Sequence, residues 1–297
     1  MTDTNNPSPQ PIALPGRALL RLASPDGVAA VKSFLNGLIS NDTGRIGADR
    51  ALYAALLSPQ GKFLFDMFVA EWQDALWLDV AADRAEELAR KLALYRLRAK
   101  ISIDLQAGWQ AFALIGGAGL DSAPGLAAGF GFTDPRLAGL GARLWLPPGA
   151  APSQGEPGDF AAYEKLRIGL GVPDGAQDIE IDKGLLLEHH FEALHGVDFR
   201  KGCYVGQELT ARTKYRGLVK KQLFQVRGSA ALPAAGSQIT LDGQEAGWLR
   251  SSQGQDGLAL LRLEAAAKAA AGDRALLCDG IALEARLPDY AAQPESE

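Results

Sequence analysis

The stretch of chain after Lys221 places the strongest constraint on the fold. Short runs of apolar residues alternate there with turns that contain glycine. These runs are residues 223–227, 238–241, 245–251, 258–263 and 276–286, with an alanine-rich stretch at 265–271. Short strands that follow one another through glycine-containing turns are typical of antiparallel sheets that close on themselves. The pattern predicts a small antiparallel β-barrel in this part of the chain.

Helices and strands are mixed before the barrel. Apolar residues at helical spacing predict a helix that begins at Pro25 and ends before Asn41. A hairpin is predicted from residues 52–57 and 63–70, around a Ser-Pro-Gln-Gly sequence that suits a type I turn. Further predicted elements are strands at 76–80, 101–105 and 110–115 and helices at 83–97 and 163–170. The mixture indicates an α+β fold.

Residues 147–158 form the clearest predicted loop, because proline, glycine and small residues there offer nothing to bury. We expect this loop to separate two sub-lobes of a first domain, residues 15–218, and the barrel domain to occupy residues 219–290. Residues 1–16 are polar and proline-rich and lack the basic and apolar regions of a signal peptide, so a polar tail is expected.

Charge and cysteine content narrow the class of protein. The net charge of −5 argues against a general nucleic-acid-binding protein. The two cysteines, Cys203 and Cys278, do not make a disulfide framework, which favours a reducing compartment. No apolar run approaches the length of a membrane span. We therefore expect a cytoplasmic protein without a nucleic-acid or membrane partner.

The glycine-rich residues 116–119 raise the alternative of a dinucleotide-binding turn. The full glycine spacing is missing, and no helix with an apolar stripe follows. The sequence therefore gives little weight to a dinucleotide site.

Cys203 lies in the sequence KGCYVGQELTAR, residues 201–212, which is unusually basic. Residues 200–221 contain seven basic residues and one acid, Glu208, a local charge of +6 in an acidic chain. Nearby positive charge favours thiolate over thiol, and a helix that begins near Gly206 would add to the effect. A thiolate is both a nucleophile and a ligand for soft metals, so either role is open. Cys278, in contrast, follows Leu-Leu in a predicted strand and fits a buried position.

Three alternatives for this region remain. A zinc site could combine Cys203 with His189, His190 and His195, although their spacing contains no HxxxH or CxxC pair. A histidine could approach Cys203 as in a cysteine hydrolase, although no sequence signature requires it. The thiol could also be incidental, in a turn with a solvated basic face.

Residues 201–208 match the Lys-Gly-Cys-aromatic-x-Gly-Gln-Glu signature of the YgfZ family without a departure, and the chain is identified as resembling that family. The continuation LTARTKYRGLVKKQLF resembles the branch that includes the mitochondrial assembly factor. Further segments resemble the family in the same order: FLNGLISND (34–42), AALLSPQGKFLFD (54–66), YRLRAKISI (95–103), LRIGLGVPDGAQDI (166–179) and LEHHFEALHGVDF (187–199).

The resemblance implies a fold shared with the T-protein of the glycine cleavage system, a tetrahydrofolate-dependent aminomethyltransferase. This is an α+β ring of subdomains around a folate pocket, followed by a C-terminal antiparallel β-barrel. Asp66 matches the aspartate that handles the transferred group in T-proteins. Two positions depart: Gly169 replaces the acid that holds the pteridine ring, and Cys203 replaces the aspartate of Lys-Gly-Asp.

The resemblance also implies a function. We expect a folate-binding accessory protein for the assembly or maintenance of iron–sulfur clusters, 4Fe–4S in particular, which supports cluster enzymes including those that modify tRNA. The expected protein is an assembly factor, not an enzyme. A tetrahydrofolate-dependent one-carbon transferase that uses Asp66 is the alternative. A plain interaction scaffold that binds no folate is a third possibility.

The expected site follows from the same resemblance. Cys203 would be the working thiol and would share a transient cluster with an A-type iron–sulfur carrier protein, because one thiolate cannot hold a cluster alone. Lys201 would hold Cys203 as thiolate, and Asp66 is the third candidate for a chemical role. The expected ligand is tetrahydrofolate or a derivative. Its candidate contacts are Tyr53, Asp66, Arg98, Tyr204, Gln207, Glu208 and Arg212.

Overall fold

Two units, each assembled from several stretches of chain, make up the structure, which is a computed structural model. Residues 9–48, 50–116, 128–153, 155–272 and 274–292 are described. Unit 1 comprises Met1–Leu57, Leu64–Tyr163 and Leu194–Val205, and unit 2 comprises Ser58–Phe63, Glu164–Ala193 and Gly206–Glu297. Most of the glycine-rich turn at 116–119, with its dinucleotide alternative, lies outside the described residues. The predicted domains 15–218 and 219–290 stay a prediction.

Unit 1 contains two antiparallel sheets. The strands of both are β1 (Gln10–Ala13), β2 (Arg17–Ala23), β3 (Leu52–Leu57), β4 (Phe63–Trp72), β5 (Ala75–Ala81), β6 (Ser102–Leu105), β7 (Gln110–Ile115), β8 (Phe130–Thr133) and β9 (Ala142–Leu146). In the described chain, one sheet has the order β3-β4-β5-β2-β6 and the other the order β1-β7-β9-β8.

Helices α1 (Val28–Asn36) and α2 (Ala85–Arg96) cover one face of the β3–β6 sheet. Every residue of β3 is buried, so this sheet is covered on both faces. Since side chains alternate along a strand, Ala54 joins the helical core while Tyr53 faces the other way. There Tyr53 meets Phe68 of β4, whose ring lies 6.0 Å from that of Phe132 in β8. The apolar contact between the two sheets is therefore aromatic.

A buried ionic network also joins the two sheets of unit 1. Arg17 of β2 and Arg143 of β9 both bind Asp79 of β5, at 2.6 and 2.8 Å. Beyond them, Arg136 binds Asp134 at 2.8 Å. Burial alone would raise the pKa of Asp79, but the two guanidinium groups outweigh it and hold that pKa below its usual value. Both acids therefore stay ionised in the interior, since Arg136 lowers the pKa of Asp134 against burial in the same way.

Unit 2 is built around the predicted barrel. Its strands are β10 (Lys221–Gly228), β11 (Gln238–Leu241), β12 (Gln244–Gln253), β13 (Asp256–Arg262), β14 (Leu276–Cys278) and β15 (Ile281–Arg286). Within the described residues they close in the order β10-β13-β12-β11-β14-β15. The remaining helices are α3 (Phe160–Gly169), α4 (Gly175–Asp178), α5 (Gln207–Tyr215), α6 (Leu263–Ala270) and α7 (Asp289–Ala292).

The predicted α+β class, the barrel and the hairpin are confirmed. Three details were wrong. Residues 276–286 form two strands, because Asp279 and Gly280 both have positive φ and make a tight hairpin turn. Residues expected in a polar tail include β1, which pairs with β7. Helix α1 begins at Val28 instead of Pro25, since the backbone amide of Asp26 donates to Ser24 Oγ in a turn.

Replacement of Asp79 by alanine is expected to destabilise the protein by about 3–5 kcal/mol, because two buried guanidinium groups lose their partner. Urea unfolding at neutral pH measures the change. The control is Asp104→Ala, an exposed aspartate of β6, for which a change within about 0.5 kcal/mol is expected. Equal effects of the two substitutions would contradict a stabilising network.

Candidate functional site

The motif around Cys203 is a short loop that leads into a helix. Helix α5 begins at Gln207, directly after Gly206, whose φ of 81° is one that glycine adopts without strain. Cys203 is exposed, as is Gly202 before it. Cys278 is buried in β14 as expected, and burial raises the pKa of its thiol. The sequence therefore correctly predicted that Cys203 is exposed and that Cys278 is buried.

Lys201 fastens this loop to the end of helix α1. Its ammonium group donates hydrogen bonds to three backbone carbonyl oxygens. The acceptors are those of Asn36 (2.6 Å), Ile39 (2.7 Å) and Asn41 (2.9 Å). All three N–H groups of the ammonium are thereby used. The expected effect of Lys201 on the ionisation of Cys203 stays a prediction; the contacts of Lys201 give it a positioning role.

Burial lowers the pKa of Lys201 from its usual 10.5 to about 8, although Asp42 and Asp198 act in the opposite direction. The ring of Tyr204 lies 5.0 Å from the ammonium, within the range of a cation–π contact. Of the predicted site residues, Lys201 and Tyr204 are therefore in contact with each other.

Ser40 and Asn41 hold the chain that precedes the motif. Ser40 Oγ donates to the carbonyl oxygen of Gly196 at 2.6 Å. Asn41 Nδ2 donates to the carbonyl oxygens of His195 at 2.7 Å and Tyr53 at 2.8 Å. The FLNGLISND sequence, which resembles the family, therefore has a structural role: its Ser40 and Asn41 hold the backbone that leads to the motif.

Gly61, the last residue of the hairpin turn, packs against the beginning of α5. Its φ is +80°, and a Cβ there would lie 2.6 Å from Leu209 Cβ and 2.8 Å from the Gly206 carbonyl oxygen. Glycine is therefore required at this turn by both conformation and space. The turn thus helps to fix where α5 starts.

Helix α5 carries three of the predicted contacts. Gln207 is half-buried at its first turn, whereas Glu208 and Arg212 are exposed. Residues four apart lie on the same face of a helix, so Glu208 and Arg212 share an exposed face. The opposite side buries Thr210 and Thr213.

Tyr53 and Asp66 form a buried pair between the sheets of unit 1. The Tyr53 hydroxyl donates to Asp66 Oδ2 at 2.9 Å, and the guanidinium of Arg136 lies 5.4 Å from the Tyr53 ring centre. Arg98 is exposed in the turn after α2, on the helical side of the sheet. The structure therefore joins Tyr53 to Asp66 and does not bring Arg98 to them. The ionic network beside this pair was missed because its members are scattered along the sequence.

The rings of His189 and His190 lie within hydrogen-bond distance of backbone carbonyl oxygens. His189 Nδ1 lies 3.0 Å from the Leu185 carbonyl oxygen, and His190 Nε2 lies 2.8 Å from that of Leu223. Burial lowers the pKa of His189 to about 4. Among the described residues, no three His, Cys, Asp or Glu side chains converge as a metal site would require. Across all the residues that the structure describes, no helix is long and apolar enough to cross a membrane.

Comparison of the chain with known proteins shows the family to which it belongs. The profile of the CAF17 C-terminal β-barrel domain matches residues 220–293. The human protein named iron–sulfur cluster assembly factor IBA57, mitochondrial, is 35% identical over 93% of this chain and 84% of its own. Its Mus musculus counterpart is 35% identical over 84% of this chain and 77% of its own. The chain belongs to the IBA57 family.

Membership in the IBA57 family confirms the expected group of iron–sulfur assembly proteins; the narrower YgfZ label stays a prediction. Both IBA57 relatives are named as mitochondrial proteins. The expected cytoplasmic location was therefore wrong, and the names point to the mitochondrion.

A solved structure confirms the predicted T-protein fold for this IBA57-family chain. The glycine cleavage system aminomethyltransferase T from Bartonella henselae matches with a TM-score of 0.69 over 95% of this chain and 86% of its own. The sequence identity is 16%, so the match concerns the fold alone.

Gly169 occupies the position at which the sequence resemblance to T-proteins implies an acid that holds the pteridine ring. It is the last residue of α3, and a Cβ built there meets no atom within 4 Å. Its carbonyl oxygen accepts from Gln225 Nε2 at 2.6 Å. A glycine cannot supply the carboxylate that the resemblance assigns to the pteridine ring in T-proteins. The residues present therefore do not fit folate in that manner.

Replacement of Lys201 by methionine is expected to destabilise the protein by about 2–4 kcal/mol at pH 7, because three carbonyl groups lose a charged donor at a partly exposed site. Urea unfolding measures the change. Lys165→Met, at an exposed lysine of α3, is the control and is expected to have little effect.

The difference in unfolding free energy between the wild type and Lys201→Met is expected to depend on pH. Between pH 8 and 10.5 the unfolded chain holds more proton at Lys201 than the folded chain does. The free energy of unfolding of the wild type should therefore rise with pH across this window relative to Lys201→Met. A difference that falls or stays constant would contradict the lowered pKa.

Proposed function

We propose that this chain is an accessory protein for the assembly or maintenance of iron–sulfur clusters, 4Fe–4S in particular, and that it acts through Cys203. The observation that carries the proposal is an exposed thiol on a fastened loop, in a family whose relatives are named assembly factors. In this proposal the protein supports the enzymes that receive the clusters, including enzymes that modify tRNA.

The chemistry of Cys203 supports a ligand role. Thiolate is the side-chain group that binds iron–sulfur clusters. A Cβ built at Gly202 meets no atom within 4 Å, so the chain leaves free space beside the thiol. One thiolate cannot hold a cluster, which is cargo in this proposal. The other ligands would therefore come from a partner, and an A-type iron–sulfur carrier is the proposed one.

The loop geometry supports the same role. A ligand that shares a cluster across two proteins has to be presented at a defined position. Lys201 holds the loop in a defined position, because the hydrogen bonds of its ammonium group fix the chain two residues before Cys203. The exposed Glu208 and Arg212 of α5 are proposed contacts of the partner or of an anionic ligand.

A one-carbon transferase is the second candidate, and the buried pair of Asp66 and Tyr53 favours it. Asp66 is the aspartate that the resemblance connects with transfer chemistry. Gly169 weighs against this candidate, because the pteridine carboxylate is missing. Tetrahydrofolate or a derivative is the ligand of this second candidate, with Tyr53 and Asp66 as its proposed contacts.

Anaerobic reconstitution with an A-type carrier tests the role of Cys203. Wild type plus carrier is expected to form a shared cluster, detected by absorbance and iron content in the co-eluting complex. Cys203→Ser should abolish the shared cluster, because the ligand is lost. Cys278→Ala is the matched control, since it removes the other cysteine, which is buried.

The outcome decides between the candidates. Loss of the cluster in Cys203→Ser alone supports the assembly function. Equal cluster content in wild type and Cys203→Ser would overturn the proposed ligand. Release of a modified tetrahydrofolate by the wild type, abolished in Asp66→Asn, would favour the transferase instead.

A further inference from the structure

Two neighbouring leucines are exposed at the end of helix α2. We call residues 90–105 the α2–β6 surface; it contains the last turns of α2, the turn that follows and strand β6. Leu94 is 77% exposed and Leu97 is 89% exposed. Leu94 lies in the last turn of α2, and Leu97 follows directly after the end of the helix. Leu105, on β6, is also exposed. Exposed apolar residues that form a group mark interaction sites more often than single ones do.

The leucines are surrounded by positive charge. The α2–β6 surface, residues 90–105, contains five cations and one acid, Asp104, in a chain with a net charge of −5. The cations are Arg90, Lys91, Arg96, Arg98 and Lys100. Because residues three and four apart are neighbours on a helix, Leu94 lies next to Arg90 and Lys91. The α2–β6 surface is thus apolar at its centre and cationic around it.

Leu97 is also strained. Its φ is 45° and its ψ is −106°, a conformation that a bulky side chain rarely adopts and that glycine adopts more easily. Packing within the chain does not compensate this strain, since the side chain is almost fully exposed. Backbone strain is found preferentially at sites that bind or react. Strain and exposure at one leucine therefore point to a contact with another molecule.

A shallow groove of about 590 Å³ adjoins Leu97. It is lined by Pro25, Arg96, Leu97, Ala99, Lys100 and Ile101, among others. Its lining combines apolar side chains with the hydroxyl groups of Ser24 and Ser102 and the basic side chains of Arg96 and Lys100. A shallow groove of this kind has room for one apolar side chain of a bound peptide.

We propose that the α2–β6 surface docks an acidic peptide segment of a partner protein. A large apolar side chain of that segment would enter the groove beside Leu97, and carboxylates on either side would bind Arg98 and Lys100. Charge complementarity decides the sign of the partner, and the planar guanidinium of Arg98 suits two hydrogen bonds to a carboxylate. The docking is independent of Cys203 and of the proposed cluster role. Arg98 acquires a role different from the folate contact expected from the sequence.

Fluorescence anisotropy with a labelled synthetic peptide tests this proposal. The probe is an Asp- and Glu-rich peptide with a central Leu-Phe pair, and the reference peptide has Asn and Gln in place of the acids. The full chain is expected to bind the acidic probe, more weakly at raised salt, and not the reference peptide.

Variants locate the binding. Arg98→Glu combined with Lys100→Glu should weaken probe binding at least about tenfold through like-charge repulsion. Lys165→Glu combined with Lys268→Glu makes the same change in net charge at exposed lysines elsewhere and should have little effect. Leu97→Gly should also weaken binding about tenfold while leaving the thermal unfolding temperature unchanged or higher, because the strained conformation suits glycine.

Each other result overturns the proposal. Absence of probe binding by the wild type would do so, as would equal effects of the two charge-reversed pairs. Unchanged binding in Leu97→Gly would remove the groove from the site. Binding to anionic phospholipid vesicles without binding to the probe would identify a membrane surface instead.

Discussion

The hydrogen bonds of the Lys201 ammonium are the interaction on which the candidate site depends. The last carbonyl groups of a helix have no partners within it, and the end of a helix favours a cation. Asn36 is the last residue of α1, and its carbonyl oxygen is one of the three that Lys201 binds. A single side chain therefore completes the end of a helix and sets the backbone of the loop that presents Cys203.

Polar groups also organise the interior of unit 1. Asp66 is buried and accepts from Tyr53, and Arg136 lies over the same ring. An aspartate in such a setting has a structural use whether or not transfer chemistry takes place. Its presence therefore does not by itself indicate transfer chemistry.

Sequence patterns predicted what depends on local spacing. The barrel, the hairpin turn at Gly61 and the helix after Gly206 follow from glycine positions and apolar periodicity. The Asp-Gly pair at 279–280 was an available hairpin signal that would have divided the last strand correctly. The partners of Lys201 could not be predicted, because they are backbone carbonyl groups about 160 residues away that leave no trace in side-chain identity. Arg17 and Arg143 could not be paired with Asp79 either, because the three residues lie on strands that are far apart in the sequence.

The closure of the barrel has a consequence for the order of events during synthesis. Strand β10 pairs on one side with β13 and on the other with β15. Until Ile281–Arg286 has left the ribosome, β10 and β14 each lack a neighbour. Open strand edges can pair with other chains. Unit 2 therefore completes its barrel only after residues 281–286 have been synthesised, and until then two strand edges stay open to pairing.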